Sequence, residues 1–221
     1  IGGKRRRVPR SLRSFSLPLQ NHSKSGEQIA ELRTALLSEI DRILAPLGWN
    51  DRLRDLFAPW FAEGTVPGRI VRVDGTTMMV ATHAGHLRSE PPPHLRDGPH
   101  GSEAVPATGD WVAVRLGDDL PLPRLETVLP RTSALTRHRS DGEHDVGEIQ
   151  VLAANIDFAL VVLSAAGEAS MRARTDSAGL NLRRVERLVV QVAASGAEPV
   201  IVLNKGDLCS DREAAAAAVS R

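Results

Sequence analysis

Asn204, Lys205 and Asp207, grouped around Gly206 as Asn-Lys-x-Asp, are the side chains of this 221-residue chain whose types and spacing suit a specific chemistry. A carboxylate placed like that of Asp207 can accept two hydrogen bonds from one base edge, the N1–H and 2-amino group of guanine. Adenine offers neither donor there and would leave a carboxylate unpaired, which costs orders of magnitude in discrimination. The Lys205 stem can lie along the base plane while its ammonium stays in water. The Asn204 amide can face the other base edge and brace the neighbouring loop. With three lysines and five asparagines in the chain, an accidental match is expected in roughly 0.4% of such sequences. The plainer alternative is a polar strand-to-helix turn in which Asp207 caps the next helix.

A nucleotide site also needs a phosphate loop, Gly-x-x-x-x-Gly-Lys-Ser/Thr, whose backbone N–H groups cradle the phosphates. The upstream Gly-Lys pair, Gly3-Lys4 in "IGGKRRR", follows no strand and lacks the leading spacing. "DSAG", 176–179, has the letters of an Asp-x-x-Gly element but no strand before it. Either the four residues are an accident, or the order of motifs is permuted and the phosphate loop is expected after residue 221.

The elements that must position the motif are legible around it. "IDFALVVLSA", 156–165, is a near-continuous apolar run, as in a strand covered on both faces. "NLRRVERLVVQVAASG", 181–196, predicts an amphipathic helix with Asn181 as N-cap, Leu182, Val185, Leu188, Val189 and Val192 inward, and Gly196 as its stop. "PVIVL", 199–203, is a second buried strand. A strand-helix-strand unit implies parallel strands with ligands at their carboxyl ends, where Asn204–Asp207 would sit. "LSAAG", 163–167, reads as the end of the first strand.

Upstream the texture differs. Residues 1–26 carry seven basic residues and no acid, so the remainder is net acidic in a chain of overall charge +1. This segment reads as a basic disordered leader, with an RNA-binding arm and a transit peptide as alternatives. A helical extension follows over 27–62, with a Ser25/Gln28 capping box and a second amphipathic piece at 51–61. From Gly68 short β-rich runs separated by turn residues ("GRIVRVD", "TTMMVATH", "WVAVRL", "LETVLP") predict an OB-fold-like barrel over 63–138. The proline-rich stretch 89–109 is expected to be a long loop on it. A polar linker over 139–150 leads to a partial α/β domain at 151–221. The fold class is thus β plus α/β.

Other candidate residues are weaker. Arg131 and Arg137, with His138, form a basic cluster beside the barrel that could touch RNA phosphate or be a solvated linker face. His83, His86, His94 and His100 lack metal-ligand spacing and read as scattered loop imidazoles. The lone cysteine, Cys209, excludes an internal disulfide and fits a reducing, cytoplasmic setting. No apolar run approaches the ~20 residues needed to span a bilayer. There is no Met before Met78, and both ends read as cut from a longer protein.

These features together resemble the ribosome small subunit-dependent GTPase A family, circularly permuted GTPases with an N-terminal OB-fold. The resemblance runs over roughly 47–221. It is carried by "LGWNDRLRDLF", "VPGRIVRVDGTTMMVATHAG", "ATGDWVAVRL", "VLPRTSALTRH" with Arg131, Ser133, Leu135 and Arg137, "QVLAANIDFALVV" and "NLRRVERLVVQVAASGAEPVIVLNKGDL", the last two being most specific. It implies a GTP-hydrolysing factor in late maturation of the 30S subunit that touches 16S rRNA through the barrel, with GTP and GDP as ligands. A cytoplasmic monomer is expected. It implies that phosphate loop, Mg2+ site and a structural Zn2+ domain follow the guanine motif, so no catalytic or metal-binding residue is assigned within this chain. The site residues carried over are Asn204, Lys205, Gly206 and Asp207. The alternative is a non-hydrolysing RNA- or ribosome-binding OB-fold module with a degenerate α/β scaffold. Two stretches, 89–109 and 164–179, are longer than the family pattern suggests.

Overall fold

The computed structural model describes residues 26–61, 65–96, 105–116, 122–139, 148–165, 181–209 and 211–220. The basic leader, the centre of the expected linker and most of 164–179 lie outside them. The chain divides into two compact units: residues up to Arg131 together with Arg137–Ala153, and Thr132–Thr136 together with Ala154–Arg221.

The first unit begins with α1 (Gly26–Leu44), a 3-10 turn (Ala45–Leu47) and α2 (Asp51–Phe61). Gly48, at φ 93°, turns the chain out of the first helix in a conformation that L side chains disfavour. Asn50 then caps α2 by accepting the Leu53 N–H at 3.1 Å. Leu53, Phe57 and Phe61 recur every four residues and are buried along one face of α2. They pack with Ile40, Leu44 and Trp49 against Trp111 and Ala113 of the sheet below and Leu129 just beyond it. Trp49 lies 5.1 Å from Trp111 between ring centroids, and its Nε1–H donates to Asp41 at 2.9 Å, so a buried indole keeps its polar partner.

That sheet has five strands, β1 (Thr65–Asp74), β2 (Thr77–Thr82), β3 (Gly85–Ser89), β4 (Trp111–Arg115) and β5 (Arg124–Val128), in the order β3-β2-β1-β4-β5. Every neighbouring pair is antiparallel. Val66, Ile70, Met78, Val80, Val112, Val114 and Leu125 make its own apolar cluster. Gly68 is required where β1 crosses β2: a Cβ there would fall 2.4 Å from Val80 Cγ1. The two edge strands meet at one parallel bridge, Glu90 to Arg124, where Glu90 N–H donates to Pro123 O at 3.1 Å and Leu125 N–H to Glu90 O at 3.0 Å. The described residues thus form a five-stranded sheet with a single edge contact, not the closed ladder expected of a barrel. β3 falls where only a turn and the start of a loop were expected, and a short helix, α3 (Pro93–Arg96), lies within the expected loop.

β6 (Ala134–Arg139) pairs with β7 (Glu148–Ala154), flanking the expected linker with strand. In the second unit β8 (Phe158–Ser164) and β9 (Glu198–Asn204) are parallel, registered pair by pair from Phe158↔Glu198 to Ser164↔Asn204. The helix between them, α4 (Leu182–Ala194), starts at the N-cap expected of it: the Asn181 side chain accepts from Arg184 N–H. Val161, Val192 and Ala197 are buried between helix and sheet, with Ala159, Leu163 and Leu188 packed around them. The other face of β8 differs from the expectation of cover on both sides. Phe158, Leu160 and Val162 are 62%, 65% and 57% exposed, because α4 packs on the alternate residues only. A final helix, α5 (Arg212–Val219), follows β9. Among the described residues no helix is long and apolar enough to cross a membrane.

Thr132–Thr136 is stitched into this second unit by reciprocal bonds. Ser133 Oγ accepts Ile156 N–H at 2.8 Å and donates to Ile156 O at 2.7 Å. Asn155, at φ 52°, accepts from both Thr132 N–H and Thr132 Oγ–H. Ala134 N–H reaches Ser195 O at 2.9 Å, next to Gly196, whose φ of 87° ends α4.

Candidate guanine-binding site

The four motif residues lie together at the carboxyl end of the parallel pair. Because Ser164 is registered with Asn204, the next residue of β8 also reaches the motif: Ala165 N–H donates to Asn204 O at 2.8 Å. The Asn204 side chain turns forward and its Oδ1 accepts Lys205 N–H at 2.8 Å, bracing the loop from inside. Lys205 is left-handed, with φ 59° and ψ 37°; among the described non-glycine residues it shares positive φ with Asn155 alone. A backbone held in that region marks a site whose surroundings over-determine it.

Gly206–Leu208 then form a 3-10 turn closed by Leu208 N–H to Lys205 O at 3.1 Å. Asp207 sits in this turn, exposed, and among the described residues no donor engages its carboxylate. It does not cap the following helix. That role belongs to Asp211, whose Oδ1 accepts Ala214 N–H at 2.9 Å. The plainer alternative weighed for Asp207 therefore has its function filled by another residue four positions on. Arg212 adds a bond that the motif itself did not announce: its Nε–H donates to Gly206 O at 2.6 Å. Cys209 is half-buried, with its Sγ 3.3 Å from Asp211 O.

The candidate RNA residues Arg131 and Arg137 belong to the first unit. Arg131 faces inward: Nε and Nη2 bond the two oxygens of Asp110 at 2.7 Å each, and Nη2 also donates to Val105 O at 2.9 Å. Asp110 has no exposed surface and also accepts Ala107 N–H at 2.7 Å. Arg137 is exposed on β6, with its Nε–H on Gln150 Oε1 at 2.9 Å. Of the histidines, His83 is buried in the β2–β3 turn, and burial pushes its imidazole pKa below the ordinary value while Glu39 opposes that shift. His86 is exposed on β3, and His100 lies outside the described residues. Among the described residues no group of three His, Cys, Asp or Glu side chains is arranged to hold a metal ion.

Residues 128–221, which contain the whole motif loop and its supporting strands, match the family described as RsgA GTPase. The likeness to that family is thus carried by this segment. Over a longer stretch, the chain is 41% identical across 169 residues to the "Small ribosomal subunit biogenesis GTPase RsgA" of Streptomyces coelicolor, covering 76% of this chain and 41% of that one. It is 35% identical across 182 residues to the RsgA of Syntrophotalea carbinolica, covering 76% and 44%. The chain thus spans less than half the length of these curated RsgA relatives. A solved structure of YjeQ from Thermotoga maritima superposes with a TM-score of 0.47 at 18% identity, over 71% of this chain and 46% of that one.

Proposed function

We propose that this chain supplies the guanine-reading part of a GTPase that hydrolyses GTP during late maturation of the 30S ribosomal subunit. The observation that carries this reading is the Asn204–Asp207 loop. It stands exposed at the carboxyl end of a parallel strand pair, with an Asp207 carboxylate that no described residue engages, inside a segment matched by the RsgA GTPase family. Relatives named as small ribosomal subunit biogenesis GTPases support the assignment of partner and reaction.

In this reading Asp207 accepts the guanine N1–H and 2-amino group, the Lys205 stem covers the base, and Asn204 braces the loop. Gly206 spaces the two. The nucleotide phosphates are held by the part of the protein that corresponds to the uncovered length of the relatives. Mg2+ for GTP hydrolysis and a structural Zn2+ do not fit the described residues, which offer no donor cluster for either. The first unit serves as an OB-fold-like barrel over 63–138, a reading favoured by its strand order and the Glu90–Arg124 bridge. Contact with 16S rRNA falls to exposed Arg137. Arg131 contributes through the backbone that its bond to Asp110 anchors. The protein works in the cytoplasm as a monomer.

The test is Asp207→Asn in the full-length protein. An amide in place of the carboxylate offers a donor where guanine also donates, and suits xanthine instead, so GTP-over-XTP preference should invert by orders of magnitude. An unchanged preference would overturn the role given to Asp207.

A further inference from the structure

We propose that Arg212 is a positioning residue for guanine recognition: its Nε–H, bonded to the Gly206 carbonyl, sets the angle at which the loop presents Asp207. The proposal rests on the guanine-binding reading above and adds to it a residue outside the motif.

The loop is tied firmly on its entry side and loosely on its exit side. At entry Asn204 is held twice, by Ala165 N–H on its carbonyl and by its own Oδ1 on Lys205 N–H, both at 2.8 Å. At exit the backbone bond to Gly206 O comes from Cys209 N–H at 3.4 Å, near the limit of a useful hydrogen bond. The Arg212 bond to the same carbonyl is 2.6 Å and charge-assisted, and so is the stronger of the two. Gly206 O and Asp207 belong to one peptide unit. Rotating that unit swings the Asp207 Cα–Cβ direction, so whatever holds the carbonyl holds the carboxylate.

The placement of Arg212 argues against a purely helical role. It occupies the first residue of α5, where the helix dipole disfavours a cation. Helix logic would put an acid there, as it does at Glu213 in the same turn. A guanidinium fork at that position is explained by the carbonyl in front of it. Its Nε is also a donor with fixed direction, which an ammonium on a flexible stem does not reproduce. Because Arg212 is exposed, the bond contributes little to global stability and acts on the local angle.

The experiment measures the affinity of the full-length protein for GDP and for IDP, which shares ribose and phosphates but lacks the 2-amino group. In Arg212→Ala the GDP-over-IDP ratio should narrow by about threefold to tenfold, the loss of one exposed charge-assisted bond. IDP, which keeps the N1–H that Asp207 also accepts, should weaken less than GDP, and the thermal midpoint should stay near wild type. Arg212→Lys should recover part of the ratio. An Arg212→Ala ratio within twofold of wild type overturns the proposal. So does an equal loss for both nucleotides, which would mark a merely structural role. Arg212→Gln, which keeps a neutral donor, replaces Ala if that variant fails to fold. Asp207→Ala runs alongside: if it leaves the ratio unchanged, the guanine reading itself fails, whatever Arg212 does.

Discussion

Replacing Arg131 with Met tests how the first unit is held together. Asp110 is fully buried and the Arg131 side chain is 11% exposed, so the pair sits almost wholly out of water. Removing the guanidinium strips two 2.7 Å bonds from the carboxylate and leaves it the Ala107 N–H. Breaking one side of a buried pair costs about 3–5 kcal/mol, and the residual water contact of Arg131 places this case near the lower figure. Against a domain stability of about 5–15 kcal/mol that loss is large. It lowers the thermal midpoint by about 10–18 °C for a unit of this size. The assay is urea and thermal unfolding followed by tryptophan emission, because Trp49, Trp60 and Trp111 all belong to the first unit. Asp110→Asn combined with Arg131→Met removes the orphaned charge, so the double variant should lose about 2 kcal/mol less than the sum of the singles. A single-variant cost under about 1 kcal/mol, or strict additivity, would refute the argument.

Gly68→Ala should destabilise the sheet by about 1–3 kcal/mol in urea unfolding, since the added Cβ meets Val80 Cγ1 at 2.4 Å and the Ala81 carbonyl at 3.1 Å; a neutral result would show that the sheet yields there. His83, with its pKa lowered chiefly by burial and partly restored by Glu39, takes up a proton less readily in the fold than in the unfolded chain, whose imidazole titrates around the ordinary value of 6.5. Stability should therefore fall as pH drops through that value, by at most about 1.4 kcal/mol per pH unit, and His83→Gln should flatten the profile between about pH 7.5 and 5.5; an unaltered slope would exclude His83 as its source. Asn155→Ala removes the acceptor of Thr132 N–H and Oγ–H and places Ala at φ 52°, so the second unit should lose about 1–2 kcal/mol and the Thr132 amide should exchange faster. Asn155→Gly should recover only the backbone share of that loss.

The strongly periodic elements were legible in the sequence. Leu53, Leu56, Phe57 and Trp60 announce α2 by spacing, although Phe61 joins Leu53 and Phe57 in the buried row while Leu56 and Trp60 are only partly buried, and Asn181 and Gly196 bracket α4 by end chemistry. β3 was missed because "GHLRS" carries little strand propensity of its own; pairing with β2 from Met78↔Ser89 to Thr82↔Gly85 makes it a strand. The Asn204–Asp207 loop was legible because its chemistry is local. Its support was not. Arg212 acts through a backbone carbonyl six residues earlier, and carbonyls leave no mark in a sequence. Arg131 read as a phosphate contact or a solvated linker residue because its partner, Asp110, stands 21 residues away and is brought to it only by the sheet. Ser133 and Asn155 were likewise 22 residues apart until Thr132–Thr136 folded into the second unit.

The open face of β8 has a practical consequence for anyone who follows this protein by dye fluorescence. Phe158, Leu160 and Val162 present a contiguous apolar strip on the folded chain, of the kind that environment-sensitive dyes adsorb to. A thermal-shift trace of this chain should therefore start bright, and its rise on heating should understate unfolding of the second unit. That unit contains no tryptophan, and the chain contains no tyrosine, so intrinsic emission is silent there as well. Phe158→Trp places a solvated indole on that strip, beyond the side of the sheet that α4 covers. Its emission would turn blue when anything apolar closes over β8.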